Sequence, residues 1–145
     1  MWDRPEDFVI ISGKWETEAR AWSRYNGSMY MLTAGARPQV WENFNPLKSP
    51  AAAKAAGCHG SDQGWIGHCL GPNEATWGPS DGVYSYRNNL KAKGGRLPDN
   101  ARLVVFHGKH DPWGFEAQRH GWVREHYGDH LPPHRRSIWR LRRTG

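Results

Sequence analysis

Cysteine is scarce in this chain: Cys58 and Cys69 are the only two among 145 residues. Two thiols cannot staple a disulfide scaffold, and free, buried thiols in a reducing compartment are the simpler reading. Long apolar runs are also absent. None is longer than Phe8-Val9-Ile10-Ile11, far short of the roughly 18 residues that cross a bilayer. The N-terminus carries Asp3, Glu6 and Asp7 instead of a basic stretch followed by an apolar one, so it does not read as a secretion signal. Together these absences predict a soluble, cytoplasmic chain. No internal repeat occurs.

Charge is plentiful but uneven. Residues 1–118 hold 13 Lys/Arg and 12 Asp/Glu, whereas residues 119–145 hold 7 Arg against Glu125 and Asp129. The body is nearly neutral and the basicity belongs to the tail, so the high pI does not describe a nucleic-acid-binding fold. Apolar residues at 37% and 17 glycines together approach a globular composition, which excludes wholesale disorder. Nine tryptophans are more than a core of this size needs and predict aromatic platforms as well as core.

Patterning predicts strands at 8–11, 28–32, 83–86 and 102–106. Short helices are expected at 38–44, at 49–56 and at 63–70, the last capped at Ser61-Asp62 and stopped by Gly71-Pro72. A final helix is expected at 115–127. Residues 14–24 read as loop or short helix, Tyr25-Asn26-Gly27 as a turn and 77–81 as loop. Strands alternating with short helices predict an α/β fold with a mixed sheet. The expected organisation is one domain over 1–127 and a Pro/Arg-rich basic tail over 128–145. The chain enters abruptly on a strand, as the second half of a larger domain would.

Four segments concentrate polar chemistry. His107-Gly108-Lys109-His110-Asp111-Pro112-Trp113 follows the clearest strand, at the edge where α/β sheets bind ligands. A cation beside Gly and His there suits a diphosphate and its metal. Asp62 and Gln63 open a helix, where backbone donors point outward. Asn26 and Ser28 flank Gly27 at a strand entrance, and an Asn amide both donates to and accepts from sugar hydroxyls. Trp77 to Tyr86 combines aromatic faces with loop polarity. Each segment also has an ordinary structural reading, as polar loop, N-cap, turn or core. Cys58-His59 and His68-Cys69 match no standard zinc spacing.

The order of these segments, an Asn-Gly-Ser strand, a Gly-Ser-Asp-Gln helix start, then His-Gly followed by Pro-Trp, resembles the C-terminal half of GT-A-type glycosyltransferases. The comparison is with the glycogenin-like and galactosyltransferase-like retaining group, over residues 3–113. The resemblance implies a partial GT-A-like fold that moves a sugar from a nucleotide-sugar donor to an unknown acceptor, with Mn²⁺ or Mg²⁺. Asn26 and Ser28 would touch donor or acceptor sugar, and Asp62 and Gln63 would serve as the catalytic pair at the reacting sugar face. His107 would ligate the metal, and Gly108, Lys109 and Trp113 would bind substrate around the diphosphate. Three departures stand out. The family's metal-binding His lies where this chain has Val105, about 6–7 Å along the strand. Asp111 replaces the Lys expected before Pro-Trp. No Asp-x-Asp occurs, and no nucleotide-binding half precedes Met1, so the resemblance implies a truncated or split enzyme that lacks turnover alone. The alternative expectation is a module binding nucleic acid or an anionic surface through Arg135, Arg136, Arg140, Arg142 and Arg143.

Overall fold

A computed structural model describes residues 3–13 and 24–127. It is a mixed α/β structure of small sheets and short helices. The expectations for residues 14–23 and for the basic tail lie outside the described residues. Among the described residues no helix is long and apolar enough to cross a membrane. The span expected as one domain contains two compact units, one reaching to Tyr84 and including Asn100–Val105, the other made of Ser85–Asp99 and the chain from Phe106.

The first unit is built on β1 (Phe8–Ser12), the middle strand of three. It pairs antiparallel with β2 (Tyr25–Leu32). Between β2 and β3 lie three helices, α1 (Gln39–Glu42), α2 (Ser49–Ala55) and α3 (Asp62–Leu70). On its other edge β1 pairs in parallel with β3 (Ala75–Trp77), Ile11 lying opposite Trp77. Strand side chains alternate between faces, and both faces of β1 are covered. Val9 and Ile11 pack with Trp77, Val83 and Val105, whereas Phe8 and Ile10 pack with Tyr25, Ile66 and Leu70. An unbroken apolar run is what a doubly covered strand requires.

Two sequence expectations change here. Tyr25-Asn26-Gly27 is part of β2, not a turn preceding it. The β1–β2 register jumps from Ile10↔Tyr30 to Ile11↔Asn26, so the turn-forming residues sit in an irregularity within the strand, where extra residues must be accommodated. Trp77, expected in a loop, ends β3 and is wholly buried. Strand β4 (Val83–Ser85) pairs with β5 (Leu103–Val105) in a separate two-stranded sheet.

Ion pairs tie the edges of the first unit. Arg37 takes Glu74 in a two-pronged grip, Nε to Oε1 at 2.7 Å and Nη2 to Oε2 at 2.8 Å, and reaches Asp7 with Nη1 at 3.0 Å. These bonds hold a non-glycine backbone at φ 57°, a left-handed conformation that costs energy for a residue with a Cβ. Arg4 binds both oxygens of Glu6 and lies 3.4 Å from Asp81. The Arg4 guanidinium pulls the Glu6 carboxyl down to about 2 from 4.5, and Arg37 lowers Asp7. Both carboxyls favour the folded state when ionised. Their contribution is complete above the ordinary carboxylate range and is lost as pH falls from about 4.5 towards 2. The thermal midpoint is therefore expected to drop over that window, and less steeply in Arg4→Met. An acid limb unchanged by Arg4→Met would assign the loss to other carboxylates.

The second unit packs Tyr86, Leu90, Ala117, Gln118 and Val123 inside. Ser85 caps a wide turn over Tyr86–Leu90: its Oγ accepts from Asn88 N at 3.1 Å, and its N–H donates to Asn89 Oδ1 at 2.8 Å. The last helix, α4, runs Gly121–Tyr127. It is shorter than the sequence predicts, because Ala117–Arg119 form a tighter turn that ends at His120 in extended conformation. Trp122 anchors α4 by donating to Gly95 O at 2.8 Å.

Candidate functional site

Of the eight candidate residues, Asn26, Ser28, Asp62 and Gln63 belong to the first unit, and His107, Gly108, Lys109 and Trp113 to the second.

In the first unit, two segments far apart in sequence meet. Ser61 adopts extended backbone and its side chain accepts from Gly64 N at 3.4 Å, which starts α3 with Asp62 in its first turn. Gln63 Oε1 accepts from Gly27 N at 3.4 Å, and a Cβ added at Gly27 would lie 3.5 Å from Gln63 Cβ and 3.8 Å from Asp62 Oδ2. These are ordinary contact distances, so the start of α3 packs directly on β2 at Gly27. Asn26 is buried and spends its Oδ1 on Ser28 N at 2.9 Å, holding the irregular part of β2 in shape. Ser28 and Asp62 are exposed, and Gln63 is half-buried. The Asp62 carboxylate and the Gln63 amide thus lie close to Gly27, the neighbour of Ser28 on β2, a set able to orient sugar hydroxyls or to face positive charge.

An apolar groove of about 100 Å³ lies in the same unit, lined by Phe8, Leu32 and Ile66 together with Tyr30 and Trp41. Tyr30 and Trp41 are 51% and 52% exposed. A short helix is expected over 38–44. The helix spans only Gln39–Glu42, and Trp41 and Phe44 are both exposed.

In the second unit, His107 Nε2 lies 2.7 Å from Ser85 Oγ, the donor being set by the imidazole tautomer. Gly108 is exposed at φ 69°, where a side chain would be strained. A Cβ there would stand 3.7 Å from Arg87 Nη1. Lys109 is exposed, and its charge helps to hold the Glu116 carboxyl low, after the larger effect of the bonded Lys91. Trp113 is half-buried, its ring 6.2 Å from that of Tyr127. His107, Gly108 and Lys109 therefore form a short turn with Arg87 beside it, a cationic, glycine-containing arrangement suited to an anion. Sequence reasoning missed Arg87, because nothing in Tyr86-Arg87-Asn88 marks a turn that returns to Gly108.

It also missed a ring cluster. Tyr86 stacks on Phe106 at 4.6 Å between ring centres and meets the edges of His110 and His120 at 5.8 and 5.9 Å. Its hydroxyl is buried with no hydrogen-bond partner among the described residues. Burial, and then the nearby charge of Glu116, raise its pKa.

The divalent metal implied by the resemblance was tested against these side chains. Among the described residues no three His, Cys, Asp or Glu side chains stand close enough to hold one ion, and Nε2 of His107 is engaged with Ser85. These residues do not by themselves fit a metal centre. No family model, curated protein or solved structure matches the chain.

Proposed function

We propose that this chain is the sugar-handling part of a GT-A-like glycosyltransferase, acting on a nucleotide-sugar donor. The observation that carries the reading is the meeting of Asp62-Gln63 with Asn26-Gly27-Ser28, segments 36 residues apart that close to hydrogen-bonding distance at Gly27. Glycosyl transfer is a displacement at the anomeric carbon, with positive character developing on the sugar ring and negative charge on the leaving diphosphate. The exposed Asp62 carboxylate suits the first. The Gln63 amide and Ser28 hydroxyl suit positioning of ring hydroxyls. In the second unit, taken by itself, Lys109, Arg87 and the backbone at Gly108 form a cationic turn suited to an anion.

The test compares nucleotide with nucleotide-sugar. Ligands that bind the folded state raise its melting midpoint. Thermal melts of the whole chain with UDP, GDP and their hexose conjugates, each with and without Mn²⁺, are expected to show a larger rise with one conjugate than with its nucleotide. Asp62→Ala is expected to erase that increment and leave the nucleotide's own shift intact. If neither nucleotides nor conjugates move the midpoint, the reading fails.

A further inference from the structure

The apolar groove has no role in the chemistry above, and its construction is specific. Two large aromatic side chains that line it, Tyr30 and Trp41, are left about half exposed. Phe8, Leu32 and Ile66 line it as well. The one charged residue that lines it among the described residues, Arg37, is already committed to Glu74 and Asp7 through three hydrogen bonds, so no unbalanced charge faces the groove from that side chain. The Tyr30 hydroxyl and Trp41 Nε1 belong to these half-exposed side chains, so neutral polar groups accompany the apolar surface.

That combination selects a ligand by chemistry. A free anion finds no available counter-charge in Arg37. A purely apolar ligand leaves the Tyr30 hydroxyl and Trp41 Nε1 unused. A pyranose ring has one face of C–H groups that stacks on aromatic rings and a periphery of hydroxyls that hydrogen-bond. A volume near 100 Å³ is well below that of a pocket that encloses a whole ligand, so the groove takes one face of a single ring. The strand and the helix that line the groove also carry the polar cluster. Tyr30 lies two residues along β2 from Ser28, both exposed while Met29 and Met31 pack inward. Ile66 lies one helical turn beyond Gln63 on α3.

We infer that this groove is a saccharide subsite, which takes the apolar face of a neutral pyranose of the acceptor against Trp41 and Tyr30. Its assignment to the acceptor rests on the glycosyltransferase reading, whereas its affinity for a pyranose does not.

The experiment is saturation-transfer NMR on the 145-residue chain, with the methyl glycosides of glucose, galactose, mannose and N-acetylglucosamine as probes. At least one is expected to bind with millimolar affinity through its C–H face. Trp41→Ala and Tyr30→Ala are each expected to weaken it about tenfold, the loss of one aromatic contact. Both residues are exposed, so an unchanged melting midpoint certifies that the variants fold. No binding by any glycoside, or binding unaltered in both folded variants, overturns the inference. So does self-association of the chain that Trp41→Ala abolishes, which assigns the face to a second copy. Glycoside binding lost in Trp41→Ala with no response to any nucleotide-sugar upholds the subsite and defeats glycosyl transfer. A response to nucleotide-sugars without glycoside binding does the reverse.

Discussion

Gly64→Ala is expected to lower the melting midpoint by roughly 10 °C or more, and Gly67→Ala, one helical turn later, to leave it level or slightly higher. Both glycines are buried in α3. A Cβ on Gly64 would fall upon the carbonyl oxygen of His59 and within 2.6 Å of its carbonyl carbon. That obstacle is backbone, so no rotamer change relieves it. Either residues 58–61 or the start of α3 must move. Overpacking against soft side chains costs about 1–3 kcal/mol, and an immovable backbone puts this change at the upper end or beyond. For a chain of this length about 3 kcal/mol corresponds to a shift on the order of 10 °C. A Cβ on Gly67 meets Arg24 Cβ at 3.7 Å, ordinary contact, and Ala gains about 1 kcal/mol of helix propensity over Gly. Any movement of the α3 start carries Asp62 and Gln63 away from Gly27. The nucleotide-sugar increment should therefore vanish in Gly64→Ala even below its melting temperature and persist in Gly67→Ala. Circular dichroism melts decide the stability half, and a Gly64→Ala midpoint within about 2 °C of the parent refutes it.

The parts of this fold written in local sequence were readable. Phe8–Ile11 declares a strand covered on both faces, and β1 is the doubly packed middle strand. Ser61 declares the start of α3, and Ile66 and Leu70 do face the core from it. Elements that owe their conformation to distant partners were not readable. Ala75-Thr76-Trp77 is too short to show a period and stands just before Gly78-Pro79; it is a strand only because β1 offers it a parallel edge. Asn26-Gly27 carries a local turn preference that the β1 ladder overrides, leaving it as a register shift. The site shows the same division. Asp62 and Ser28 were visible as polar residues at element ends. Their convergence depends on how closely α3 approaches β2, which no spacing encodes. Trp41 falls within a helix expected over 38–44, and nothing in that local pattern shows that it is left 52% exposed.

Trp77→Ala is expected to be the most destabilising single change in the first unit, and Trp41→Ala among the least. Composition cannot separate them, since both are tryptophans beside short elements. Trp77 has 0% of its surface exposed and packs with Val9, Ile11, Val83 and Val105. Truncating a buried Trp costs about 3–5 kcal/mol, because the lost transfer energy is joined by a cavity the neighbours fill only in part. Whole-domain stabilities are about 5–15 kcal/mol, so this loss can consume most of one. The change also strips the parallel edge of β1 of its largest side chain, at the position paired with Ile11. Through β1 it loosens β2, the strand that presents Asn26, Ser28 and Tyr30. Urea denaturation is expected to show a midpoint for Trp77→Ala well below the parent with a similar slope, or no folded baseline at all. Trp77→Phe, which keeps an aromatic ring in the gap, should recover part of the difference. Trp41, 52% exposed, gives up little buried area, and its variant should melt with the parent. If Trp41→Ala destabilises as much as Trp77→Ala, Trp41 is core and the groove is not open to a ligand. Stability thus separates the tryptophan that builds the sheet from the one left at the surface.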